Sequence, residues 1–135
     1  GVAAPEMVRE LNRVREPFNV NQLAQRAARL ALEDQSFVRD CRARNTAGIK
    51  QLTAEFDRLG LKYFAPHGNF VFVETGVPAP DVFEYLLRNG IIVRIDASWG
   101  YPTAIRVTVG SKEQNDAFLE KLVNYLQKRG QEHVS

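Results

Sequence analysis

Apolar residues recur along this chain in two rhythms, and the change between them separates its helical first half from a mixed second half. From Pro5 to about residue 59 the steps are three and four, the spacing of one helix face. Met7, Val8, Leu11 and Val14 predict a short helix over 5–15, with Pro5 suited to its first turn and Pro17 at its exit. Phe18-Asn19-Val20-Asn21 is a tight connector in which either asparagine can cap the next helix, Asn19 with Gln22 having capping-box spacing. That helix, over 22–33, is alanine-rich and carries Leu23, Ala27, Leu30 and Ala31. The longest runs over 36–59, with Val38, Cys41, Asn45, Ile49, Leu52, Phe56 and Leu59 along one side. Its C-terminal half is an ordinary apolar seam. Asn45 and several alanines dilute its N-terminal half, and Gly48 between the halves costs about 1 kcal/mol relative to alanine. A seam this weak implies support from outside the local core, such as another domain.

After Gly60 the pattern shifts toward strands: 61–64, 70–74, 91–95 and 104–109 are the candidates. Ala65-Pro66-His67-Gly68-Asn69 reads as a turn. Pro78 and Pro80 lead into a helix over 81–89 bearing Val82, Phe83, Leu86 and Leu87, and Asn89-Gly90 stops it. Ser111 and Gln114 form a capping box opening a final helix over 112–128, whose apolar side includes Phe118, Leu119, Leu122 and Leu126. The fold class expected is α/β, more closely a two-layer α+β arrangement, with a small mixed or antiparallel sheet packed with helices. Strand order does not follow from the pattern.

Composition narrows the function. At 135 residues the chain suits one compact domain, and a net charge of +2 with interspersed acids is no strong nucleic-acid signature. Arg39, Arg42 and Arg44, continuing toward Lys50, read first as a solvated helix face and second as a nucleic-acid contact without stacking aromatics. No apolar run approaches the roughly 18 residues that cross a bilayer. The single Cys41 excludes an intramolecular disulfide and a multi-cysteine metal site; a reducing, cytoplasmic setting is expected, with Cys41 as a small core residue of the long helix. His67, in a turn, and His133, in a polar tail, stand too far apart in sequence to suggest a metal site. The start, Gly1-Val2-Ala3-Ala4, reads as a piece of something longer.

The candidate chemistry lies in two arginines. Arg94 follows Ile91-Ile92-Val93, and Arg106 lies within Ala104-Ile105-Arg106-Val107-Thr108-Val109. Alternation places Ile105, Val107 and Val109 on a core face and Ala104, Arg106 and Thr108 on the other, where small neighbours leave room above a long side chain. An arginine there is a solvated surface group, a partner for a carboxylate such as Glu74, or an anion site. Arg94 has a local partner available in Asp96. Both arginines bracket a Trp99-Gly100-Tyr101-Pro102 loop, expected to be too polar and turn-prone for the core, and together they suit a ligand with two anionic groups. No residue spacing supplies a nucleophile, a carboxylate pair or a phosphate-cradling loop.

The segments REPFNVNQLAQRAARLAL, YFAPHGNFVFVE and GIIVRIDASWGYPTAIRVTVGSKEQNDAFLEKL occur in the order and spacing of the C-terminal part of histidinol-phosphate aminotransferases, which this chain resembles over roughly residues 5–128. The resemblance implies the small domain of an aspartate-aminotransferase-like, fold-type I enzyme using pyridoxal 5'-phosphate. It divides the chain into a helical segment and connector (1–35), the small domain (36–130) and a polar tail (131–135). Arg106 matches the family arginine that grips the substrate α-carboxylate, Arg94 the one that helps hold the substrate phosphate, and Asn69 falls near the cleft with no defined role. Partners implied are a phosphorylated amino substrate, 2-oxoglutarate or glutamate, the large domain of the same chain, and a second copy in a homodimer. The family's Schiff-base lysine, its pyridine-pairing aspartate and its phosphate cup belong to the large domain; Lys50 and Lys62 stand in the wrong context to replace the lysine. The chain alone is therefore expected to supply no catalytic residue, to bind no cofactor and to be inactive. A threonine-phosphate decarboxylase would share this architecture, and a small basic interaction domain built on Arg39, Arg42 and Arg44 is the non-enzyme alternative.

Overall fold

The computed structural model of the chain describes residues 2–16, 19–95 and 97–132. It divides into two compact units, with the boundary along the chain between Asp40 and Cys41. In the first, α1 (Pro5–Val14) carries its proline in the first turn. The second helix, α2 (Gln22–Glu33), is capped by Asn21, whose side chain accepts a 2.8 Å hydrogen bond from the Ala24 amide. Asn21, rather than Asn19, is the cap, because its extended backbone aims the side chain at the open amides. Neither helix buries a residue: Met7, Leu11 and Val14 of α1 and Leu23 and Leu30 of α2 are all exposed. Pro17, Phe18, Asp96 and His133 lie outside the described residues.

Helix α3 spans Gln35–Arg58. Gly48, Leu52 and Phe56 are its buried residues, whereas Val38 and Cys41 are exposed. Cys41 is therefore not a core residue, since burial on this helix begins only at Gly48. Gly48 has a packing reason: a Cβ there would lie 2.4 Å from Val109 Cγ1 and 3.1 Å from Asn115 Nδ2.

Strands β1 (Lys62–Tyr63), β2 (Phe70–Glu74) and β3 (Ala104–Thr108) form an antiparallel sheet in that order. Helix α4 (Ala79–Arg88) lies between β2 and β3 in sequence, and α5 (Lys112–Glu132) follows β3. The capping box forms as expected, with Ser111 N–H donating to Gln114 Oε1 at 2.9 Å and Gln114 N–H to Ser111 Oγ at 3.3 Å. Period-two alternation turns Val71, Val73, Ile105 and Val107 toward Leu52 and Phe56 of α3, Val82 and Leu86 of α4, and Phe118 and Leu122 of α5. Each such side chain taken fully out of water contributes about 1.5–3 kcal/mol.

The expected strand over 91–95 does not form. Ile91 N–H is taken by Leu86 O at 2.9 Å, in the turn that ends α4 around Gly90 (φ +78). A 3-10 turn, Ala97–Trp99, begins at the other end, so among the described residues of this segment Arg94 alone bridges to β3. The expected first strand also shortens, because Leu61 N–H closes the end of α3 on Phe56 O at 2.9 Å.

Candidate functional site

The face of the sheet away from the helices carries the site. Arg94 and Arg106 oppose each other as a hydrogen-bonded pair, with Arg94 N–H donating to Arg106 O at 3.0 Å and Arg106 N–H to Arg94 O at 2.8 Å. Directly opposed residues in antiparallel backbone lie about 5.5 Å apart at Cα and project to the same face. On its other side Arg106 opposes Phe72 of β2, and Phe64 N–H donates to Phe72 O at 3.0 Å. One row across the sheet thus reads Phe64, Phe72, Arg106, Arg94.

This face is not simply solvated. Trp99 packs edge-on against Phe72 with ring centroids 5.4 Å apart, and Tyr101 meets Phe64 and Phe72 at 5.2 and 5.4 Å. Such contacts contribute about 0.5–1.5 kcal/mol each beyond area burial. The loop expected to be too polar for packing stays out of the helix-backed core but builds this second cluster. The Arg106 guanidinium carbon lies 5.1 Å from the Phe70 ring centre and 5.8 Å from that of Trp99. The room expected above Ala104 is not open, since Ala104 is buried, while Thr108 stays exposed beside Arg106.

Arg106 Nε is buried and has no hydrogen-bond partner. Among the described residues neither Arg94 nor Arg106 forms an ion pair, so the proposed partnership with Glu74 is not formed. The suggested Arg94–Asp96 pair lies outside the described residues. A charged, partly desolvated fork without a carboxylate is unfavourable on its own, and it suits a carboxylate or phosphate brought by a ligand. Beside it, Phe83, Ile92, Arg94, Arg106 and Thr108 line a depression of about 380 Å³, with Arg94 itself exposed.

Asn69 sits away from the row, just before β2; its carbonyl accepts from Val109 N–H at 2.8 Å. It borders a second depression with His67, Arg42, Arg44 and Cys41, so it is not brought together with Arg94 and Arg106 in one hollow. His67 is exposed.

The profile of the family described as aminotransferase class I and II matches residues 1–122. This chain belongs to that family. Histidinol-phosphate aminotransferase of Anoxybacillus flavithermus is 43% identical over 129 residues, which make up 96% of this chain and 35% of that protein. Its counterpart from Brevibacillus brevis is 48% identical over 122 residues, 90% of this chain and 34% of the relative. The chain thus spans about a third of the length of the relatives it matches. The histidinol-phosphate aminotransferase of Sinorhizobium meliloti, solved with pyridoxal-5'-phosphate, superposes with a TM-score of 0.78 over 92% of this chain and 35% of its own, at 20% identity. That likeness establishes the aspartate-aminotransferase-like fold.

The family is pyridoxal-phosphate-dependent. The hollow beside Arg94 and Arg106 does not fit that group: it is lined by apolar, hydroxyl and guanidinium side chains, with no lysine among its described residues to bond the cofactor. What they offer is an anion grip.

Sequence reasoning missed the rings around Arg106. Phe70-Val71-Phe72 held a usable signal, because alternation that buries Val71 and Val73 must turn Phe70 and Phe72 to the arginine face. No local pattern indicated that Trp99 would close over them.

Proposed function

We propose that this chain is the substrate-clamping part of a pyridoxal-phosphate-dependent aminotransferase, acting in the full-length enzyme on histidinol phosphate with 2-oxoglutarate and glutamate. The single observation carrying the assignment is the row that sets Arg94 opposite Arg106, with Arg106 Nε buried, its guanidinium near Phe70 and Trp99, and no acidic partner among the described residues. Relatives 43% and 48% identical, named histidinol-phosphate aminotransferases, support the substrate class. In this reading Arg106 receives the α-carboxylate and Arg94 helps neutralise the phosphate. Residues 36–130 act as the small domain and 1–35 connect it to the large domain, whose residues carry out the chemistry. The full enzyme is a cytoplasmic homodimer. When bound there, the cofactor supplies the carbonyl that carries the amino group between substrates, while this chain's share is binding and orientation.

The test is steady-state kinetics on the full-length enzyme. Replacing Arg106 by Gln removes a partly desolvated fork worth about 2–5 kcal/mol of binding, and KM for glutamate and 2-oxoglutarate should rise accordingly. Arg94→Gln should act mainly on the phosphorylated substrate. Unchanged KM values for both variants would discard the clamp. A substrate panel separates transamination of histidinol phosphate from decarboxylation of threonine phosphate. The chain alone should not take up pyridoxal phosphate stoichiometrically, as followed by cofactor absorbance.

A further inference from the structure

We propose that Phe70 and Trp99 are positioning residues for Arg106: they hold its guanidinium in one orientation and seal its Nε, so that the terminal nitrogens face the incoming carboxylate. The inference rests on the assignment of Arg106 to a carboxylate and adds the device that aims it.

Arginine carries a long, rotamer-rich stem, and a fork that must first be immobilised loses part of its binding energy in doing so. Here two rings do the immobilising before any ligand arrives. Phe70 comes from β2, two residues along from the Phe72–Arg106 pair and opposite Thr108, and its ring centre lies 5.1 Å from the guanidinium carbon. Trp99 comes from the loop after Arg94, at 5.8 Å. Trp99 is itself fixed, its ring meeting Phe72 at 5.4 Å and 74°. The two anchors come from different elements, a strand and a 3-10 turn, and the Phe72 contact ties the second to the first. Ring faces attract the cation without neutralising it, which a carboxylate in the same place would do. The buried, unpartnered Nε fits this arrangement, because a ring wall excludes water and offers no acceptor.

A purely space-filling role for the rings makes different predictions. In the full-length enzyme, Phe70→Leu and Trp99→Leu should each raise KM for glutamate about tenfold while kcat changes less than about twofold, the size expected of a partly desolvated cation–π contact. Phe70→Tyr and Trp99→Phe, which keep a ring face, should stay within about threefold of the parent. In an Arg106→Gln background the leucine changes should add nothing, since their effect runs through the guanidinium. Unchanged KM in the leucine variants, or an equal rise that persists without Arg106, would overturn the proposal. Should the leucine variants not fold, a series of ring-fluorinated phenylalanines at position 70 keeps the shape and weakens the ring face; KM must climb with fluorine number, and a flat series refutes the idea. If Arg106→Gln alone leaves KM for glutamate unchanged, the carboxylate assignment itself fails, a result distinct from the failure of the two rings.

Discussion

Gly48→Ala ought to improve a helix and is expected to damage this one. Alanine in a helix interior gains about 1 kcal/mol over glycine. The added methyl, however, would sit 2.4 Å from Val109 Cγ1 and 3.1 Å from Asn115 Nδ2. Val109 is β-branched and its N–H is tied to Asn69 O at 2.8 Å, so it yields poorly. Overpacking of this kind costs about 1–3 kcal/mol. Asn115, 2% exposed, is held by Gln51 Oε1 at 3.1 Å and accepts from Gly110 N–H at 2.9 Å. Displacing that buried amide adds about 1–3 kcal/mol. The net expectation is a loss of about 2–3 kcal/mol, read as a lower urea midpoint with unchanged slope in unfolding followed by circular dichroism. Trimming Val109 to Ala in the Gly48→Ala background should recover part of it, because the two changes share one contact. A midpoint equal to or above the parent's would show that the contact with Val109 does not constrain α3.

Asn115→Ala should cost about 1–3 kcal/mol in the same urea assay, since the half-buried Gly110 N–H loses its acceptor. Thr75→Val should cost about 1 kcal/mol, its buried hydroxyl being bonded to Thr103 O at 2.9 Å and Val77 O at 3.2 Å; no change in midpoint would mean the hydroxyl is dispensable. Asp81→Ala should cost under about 1 kcal/mol although its carboxylate meets Arg129, because the pair's side chains are 45% and 34% exposed. The Phe37 N–H, then the Ser36 hydroxyl, hold the Asp34 carboxyl below its usual value of 3.8. A depressed folded-state value means that the stabilisation is present above pH 3.8 and lost as pH falls through the lower, folded-state value; an Asp34→Asn variant should lack that acidic step in helicity.

Much of the helical frame was readable because its causes are local. The Ser111–Gln114 box and the proline at the start of α1 act within one turn, and the expected bounds of α1 and α2 lie within a residue of those observed. The strand expected over 91–95 was not, because pairing is decided by what competes for its amides, and Leu86 O takes that of Ile91. Cys41 shows the same limit: spacing placed it on the seam of α3, yet only neighbours distant in sequence determine where along that seam burial begins.

Arg106 divides between the two kinds of information. Alternation within Ala104–Thr108 was enough to put a permanently charged fork on the face opposite the core, since side-chain direction in a strand is a backbone property. What surrounds that fork depends on the register that sets Phe72 against Arg106, on the bridge that sets Arg94 beside it, and on a loop that folds Trp99 back over Phe72. Those are contacts between segments far apart in the chain, and only the packed sheet brings them together.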